Sequence, residues 1–183
     1  SLTFAHNKLK KIPNIFDASS VREMGSVDFS YNEITGVDKS HGTYKGINAA
    51  SVSLSNNKIE KFPSELFTAG SPITTIDLSA NQMRTIPKGS IKGKKAYLLQ
   101  VIDLRFNRLT SLSDDFRSTT LPYITNMDLS YNCFTEVPTQ PLNSAVLRAF
   151  AINHQRDENN DQRCLRTWPT GITTCPSLIQ FQI

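Results

Sequence analysis

The sequence predicts a repeat protein made of equal-sized, strand-bearing units, and three observations carry the prediction. A motif ending in asparagine recurs at Asn7, Asn32, Asn57, Asn81, Asn107 and Asn132, with steps of 25, 25, 24, 26 and 25 residues. Ahead of each asparagine, apolar and polar residues alternate, as in Val27 and Phe29, Ile76 and Leu78, Ile102 and Leu104, and Met127 and Leu129. That period of two belongs to a strand with one buried face. After the asparagine an apolar residue falls at the fifth position, often followed by proline: Ile12-Pro13, Phe62-Pro63, Ile86-Pro87 and Val137-Pro138. Proline has no N–H to contribute to a sheet, so it suits a descending turn.

Taken in order, the units read LTFAHNKL, MGSVDFSYNEI, AASVSLSNNKI, ITTIDLSANQM, LQVIDLRFNRL and ITNMDLSYNCF. A seventh, LRAFAINHQ, keeps the spacing with Gln155 in the asparagine slot, and an eighth begins at Leu178. Apolar residues recur nine or ten positions after the asparagine, at Phe16, Phe67, Ile91, Phe116 and Leu142, where they predict a second packed row. The second and fifth units depart from the proline rule at Asp38 and Ser113.

These units resemble the leucine-rich repeat family, with its signature L-x-x-L-x-L-x-x-N-x-L, over essentially the whole chain. The resemblance implies an α/β-type solenoid, a horseshoe with a parallel β-sheet on the concave face and a mostly irregular or short-helical convex side. The pattern N-x-L-x-x-L-P-x-x-x-F is similar to the typical subclass; the plant receptor subclass places glycine and Ile-Pro elsewhere. A single leucine-rich repeat domain over 1–183 is expected, with six clear repeats, a seventh carrying an inserted loop at 156–163 and an eighth truncated. Neither end shows a polar capping unit, so a longer repeat chain is expected.

The asparagines have a physical role. Where the chain turns inward after each strand, an amide with donor and acceptor can satisfy backbone groups of its own turn and of the next coil. Asn7, Asn32, Asn57, Asn81, Asn107 and Asn132 are therefore read as structural.

Recognition is expected on the exposed strand positions. One column runs Thr3, Asp28, Ser53, Asp77, Asp103, Asp128 and Ala151, stacked about 4.8 Å apart. Beyond it lie Arg105, where other units carry mostly serine, and then His6, Tyr31, Asn56, Ala80, Phe106, Tyr131 and His154. The partner-binding candidates are Asp77, Asp103, Arg105, Phe106, Asp128, Tyr131 and His154, since arginine among aromatics on a rigid face has the composition of a protein-contact hot spot. The alternative is a self-satisfied surface cluster, with Arg105 paired to Asp103 or Asp128.

The net charge of +4 is modest, which makes nucleic acid an unlikely partner. The basic excess gathers after the asparagines, at Lys8, Lys10, Lys11, Lys58, Lys61, Arg84 and Arg108, with Lys92, Lys94 and Lys95 on a return segment. A solvated edge is the plain reading; glycan or anionic-polymer binding is the sharper one. No catalytic constellation, phosphate loop or metal-ligand spacing occurs, so no enzyme, cofactor or metal is expected. D-x-N-x-D at Asp157, Asn159 and Asp161 lacks the glycine and glutamate of a calcium loop. No apolar run is long enough to cross a membrane as a helix.

Setting NCFTEVP over RCLRTWP aligns Cys133 with Cys164 at 31 residues instead of 25, which places an excursion, Arg156 to Arg163, at the seventh turn. If the chain rejoins its groove by Cys164, the two cysteines occupy equivalent places on adjacent coils and suit a disulfide. Cys175 is then left over, and three reduced thiols remain the alternative. Fourteen asparagines include no N-x-S/T sequon, which favours a bacterial surface or secreted protein over an animal or plant receptor, with a cytoplasmic module as competitor. The expectation is a non-catalytic module binding a protein or peptide ligand; the competitor is the recognition arm of a larger enzyme.

Overall fold

The structure, a computed structural model, describes residues 1–14, 24–40, 42–68, 70–91, 96–156, 165 and 180–182. Among these, strands β1 (Leu2–Thr3), β2 (Met24–Asp28), β3 (Ala49–Ser53), β4 (Thr75–Asp77), β5 (Val101–Asp103), β6 (Asn126–Asp128), β7 (Ala149–Ala151) and β8 (Gln180–Gln182) form one parallel sheet. Their spatial order is their chain order. This is a solenoid with an α/β-type repeat and few helical residues.

The constant repeat length sets the register. Val27 pairs with Val52, Val52 with Ile76, Ile76 with Ile102, Ile102 with Met127, and Met127 with Phe150, so each apolar strand residue stacks on its counterpart. Because side chains alternate across a strand, this register sends the whole set to one face. All six are buried, as are Phe29, Leu54, Leu78, Leu104, Leu129 and Ile152 two positions on.

Beyond each strand the chain makes a left-handed turn. His6, Tyr31, Asn56, Ala80, Phe106, Tyr131 and His154 all have φ between 53° and 58°. That region is uncommon for residues with a β-carbon and costs roughly 1–2 kcal/mol each. The following asparagine anchors the turn. In the fifth coil Asn107 donates from Nδ2 to the carbonyls of Leu104 and Arg105 in its own turn and of Leu78 in the preceding coil, at 3.1, 3.2 and 3.0 Å. Its Oδ1 accepts from the Met83 N–H at 3.1 Å. Asn32, Asn57, Asn81 and Asn132 repeat the arrangement, and Gln155 reproduces it in the seventh coil. The bonds run to the preceding coil, not to the next one as the sequence reading had it. The reason is the hand of the turn, which aims the amide back along the solenoid. Asn7, in the first coil, reaches only Phe4 and Ala5 in its own turn and is exposed.

The convex side is irregular, with short 3-10 turns at Ser64–Leu66 and Pro141–Asn143. Phe67, Ile91, Phe116 and Leu142 are buried there in the expected second row, while Phe16 lies outside the described residues. Phe62 stacks on Phe67 at 5.9 Å and meets Phe116 edge-on at 6.3 Å, linking coils through the core.

Candidate ligand-binding face

Strand length and turn geometry decide what the concave face presents. The column Thr3, Asp28, Ser53, Asp77, Asp103, Asp128 and Ala151 ends the strands, where the N–H two residues later has left the ladder. Each aspartate supplies that N–H with an acceptor: Asp28 to Ser30 at 2.8 Å, Asp77 to Ser79 at 2.9 Å, Asp103 to Arg105 at 3.0 Å and Asp128 to Ser130 at 2.9 Å. Thr3 does the same for Ala5 at 3.3 Å. This aspartate-to-backbone turn gives the acidic column a structural role at one oxygen. The second oxygen of Asp28 and Asp77 makes no hydrogen bond among the described residues.

Arg105 changes the column in the fifth and sixth coils. Its Nη2 lies 2.6 Å from Asp103 Oδ2, its Nε donates to both Asp103 oxygens at 2.9 and 3.0 Å, and its Nε stands 3.5 Å from Asp128 Oδ2. The Asp103 hydrogen bond raises the Arg105 pKa, aided by the field of Asp103, Asp128 and Asp77, so the guanidinium is held charged. Beside it a hollow of about 310 Å³ is lined by Asp103, Arg105, Asn126, Asp128, Ala149 and Ala151. The small alanines of β7 leave this space where neighbouring strands carry longer side chains.

Aromatic groups stand at both ends of these strands. At the turn end, Phe106 stacks on Tyr131 at 4.2 Å and 14°, and Tyr131 on His154 at 4.7 Å and 16°. The Arg156 guanidinium lies 5.9 Å from the Tyr131 ring centre, a cation–π contact. At the opposite end, Tyr97 meets Tyr123 edge-on at 5.3 Å, and a hydrogen bond between the two raises the Tyr123 hydroxyl pKa. Leu98 and Val146 are exposed beside them. The sequence reading missed Tyr97, Leu98, Tyr123 and Val146; Leu98, Tyr123 and Val146 share the slot three residues before β5, β6 and β7, and that shared slot was the available signal. A second stack, His6 on Tyr31 at 4.5 Å, sits in the first two coils, separated from the first by Asn56 and Ala80. Of the predicted candidates, Asp103, Arg105, Phe106, Asp128, Tyr131 and His154 thus gather over coils five to seven, while Asp77 lies one coil before.

Cys133 is half-buried, and its N–H donates to Leu109 O at 2.8 Å. Cys164, Cys175, Lys92, Lys94, Lys95 and the excursion beyond Arg156 lie outside the described residues. No cluster of His, Cys, Asp or Glu among the described residues is arranged to hold a metal. No helix among them is long and apolar enough to cross a membrane.

A parallel-strand solenoid locked by an asparagine ladder defines a class, and the comparisons name it. The chain is 64% identical to a leucine-rich repeat protein of Bacteroides thetaiotaomicron, with a TM-score of 0.91 over 98% of this chain and 22% of that one. A leucine-rich repeat protein of Bacteroides eggerthii is 57% identical, with a TM-score of 0.93 over 99% of this chain and 31% of that one. Among curated proteins, human leucine-rich repeats and immunoglobulin-like domains protein 1 is 30% identical over 128 residues, which are 69% of this chain and 11% of the relative. No family model matches the sequence. The chain is a leucine-rich repeat protein, and it spans less than a third of each of these relatives.

Proposed function

We propose that this chain is a non-catalytic recognition module that binds a protein or peptide ligand on its concave face over coils five to seven. One observation carries the reading: the hollow beside Arg105 is flanked at both strand ends by exposed large side chains, Phe106 at 50% exposure on one side and Tyr123 at 46% and Leu98 at 42% on the other. Aromatic residues and arginine dominate protein-contact hot spots, and few surface residues supply most of the binding energy. Asp77, Asp103, Asp128, Tyr131 and His154 complete the proposed footprint. If a longer polypeptide carries an enzyme, this portion contributes its recognition arm.

Two Bacteroides neighbours above half identity support a bacterial source, which fits the missing sequons better than an animal or plant receptor does, and an extracytoplasmic location is part of the proposal. In that setting Cys133 pairs with Cys164, which peptide mapping without reductant reads directly.

The test uses the chain as bait in extract from its native source, comparing wild type with Arg105→Glu and Phe106→Ala by quantitative mass spectrometry. Loss of a hot-spot residue costs about 2 kcal/mol or more, close to a thirtyfold fall in affinity. Proteins retained by wild type and lost from both variants support the concave site. Unchanged retention by both, with unchanged thermal midpoints, moves the site elsewhere.

A further inference from the structure

The seven turn residues with positive φ form one row along the edge of the concave face. Their backbones are in register, because each N–H donates to the residue just ahead of the turn residue in the next coil. His6 donates to Ser30 O at 3.1 Å, Asn56 to Ser79 O at 3.0 Å, Ala80 to Arg105 O at 2.9 Å and Phe106 to Ser130 O at 3.2 Å. Side chains in this row therefore stand one above another, a coil step apart. Where adjacent coils both carry rings, the rings stack: His6 and Tyr31 at 4.5 Å and 9°, Phe106 and Tyr131 at 4.2 Å and 14°, Tyr131 and His154 at 4.7 Å and 16°. Ala80 interrupts the row. Its side chain ends at a methyl group, between the Asn56 amide of the coil before and the Phe106 ring of the coil after. Among the described residues Phe106 stacks only on its Tyr131 side, and it is 50% exposed. Asn56 and Phe106 are two coils apart, about 10 Å at the usual strand spacing of about 4.8 Å, so one planar group beyond the Ala80 methyl stands a single coil step from each.

We propose that the step at Ala80 seats an aromatic side chain of a protein or peptide ligand, face to face with Phe106. The inference rests on the reading of the concave face as a protein-binding surface and extends its footprint by one coil. The row itself selects the occupant. Rings fill five of its seven places, and every pair of rings in adjacent coils lies close to parallel. A ligand ring at the level of Ala80 repeats that offset stacking on the uncovered face of Phe106, with an amide on its other side. A guanidinium is the other planar side chain, and its charge finds no clear advantage here. Asp77 stands three residues before Ala80, but Arg84, four residues after it, and Arg108, two residues after Phe106, are exposed cations that make no ion pair among the described residues.

The experiment has two arms on the full chain. In the first, alanine methyl resonances are followed by NMR during titration with p-cresol, the side chain of tyrosine. The Ala80 methyl is expected to move upfield at least threefold further than those of Ala5 and Ala151, and Phe106→Leu to reduce that movement at least threefold. Cyclohexanol or methylguanidinium in tenfold excess is expected to leave it largely in place. In the second arm, peptides selected from a random phage-displayed library on the wild-type chain are tested on Ala80→Tyr and Arg105→Glu. Ala80→Tyr sets the chain's own ring at the step; rings already adopt this φ in five other coils, so its thermal midpoint is not expected to fall. Selected peptides are expected to carry an aromatic residue, and to lose about tenfold in affinity on Ala80→Tyr or when that residue is changed to leucine. The proposal is overturned if Ala80 moves no further than the reference methyls, if methylguanidinium displaces p-cresol, or if the peptides bind Ala80→Tyr as tightly as wild type. Peptides lost by Arg105→Glu but kept by Ala80→Tyr leave the concave-face reading standing without this step. A library that yields no binder counts against that reading, and the p-cresol titration then decides the step alone.

Discussion

In the strand-end turns, the amides of Asn32, Asn57, Asn81, Asn107 and Asn132 meet the same four backbone groups in every coil, with distances of 2.9 to 3.3 Å. Among the described residues the return segments carry no such recurring device: the amide of Asn14 donates to Thr43 O at 3.1 Å and accepts from the Lys45 N–H at 3.2 Å, and no other coil repeats it. There Tyr44, Ser71 and Gln140 bury side-chain oxygens that make no hydrogen bond among the described residues. A buried backbone group can be satisfied in few ways, so it demands one residue type at one place. A buried volume can be filled in many ways, by Phe67, Ile91, Phe116 or Leu142, and demands only an apolar side chain of suitable size.

The largest effect tests the turn side. Asn107→Ala removes an amide that serves Met83 N and the carbonyls of Leu78, Leu104 and Arg105, all near or in the core. Each buried group left unsatisfied costs about 1–3 kcal/mol, so the expected loss is about 3 kcal/mol or more in urea unfolding. Asn7→Ala, at an exposed rung bonded only within its own turn, is the internal reference and should cost less than about 1 kcal/mol. Equal costs would show that the coil-to-coil bonds add nothing to the turn.

This contrast also explains what the sequence made legible. The period, the register and the asparagine slot were visible because a single geometric demand recurs about every 25 residues. Arg105 was visible because it breaks that recurrence. The left-handed turn was not visible, since His6, Tyr31, Asn56, Ala80, Phe106, Tyr131 and His154 have no residue type in common and only asparagine favours the conformation by itself. The hollow beside β7 was hidden for another reason: an absence of side-chain volume at Ala149 and Ala151 acquires meaning only when the neighbouring strands are placed beside it.

A smaller effect probes that hidden turn. Ala80 holds φ at 53° with no ring to stack and no side-chain hydrogen bond, so it carries the strain of the conformation without visible compensation. Ala80→Asn places at this slot the residue that Asn56 already supplies one coil earlier. It should raise stability by about 0.5–1 kcal/mol, the share of the left-handed penalty that a locally bonding side chain recovers. A loss of stability instead would mean that the turn is set by packing and that the αL residue is under no strain.

The smallest effect belongs to the return side. Tyr44 is 6% exposed and its hydroxyl has no partner among the described residues, so replacing it by phenylalanine deletes a buried polar group and little volume. Tyr44→Phe should leave stability unchanged at neutral pH or raise it by up to about 1 kcal/mol. Alkaline pH separates the variants further. Burial, and then the negative charge of Glu65, pushes the Tyr44 pKa above the ordinary phenol range. In the unfolded chain the same hydroxyl ionises near pH 10, so above that pH the unfolded state has lost a proton that the folded state keeps. Stability therefore falls with rising pH through this group, by about 1.4 kcal/mol per pH unit until the folded pKa is reached. Tyr44→Phe lacks that term, and its advantage over wild type should widen between pH 10 and about 11 by roughly 1 kcal/mol in parallel urea titrations. A gap that stays constant over this range would place a hydrogen-bond partner on the hydroxyl and bring the return segment closer to the economy of the asparagine turns.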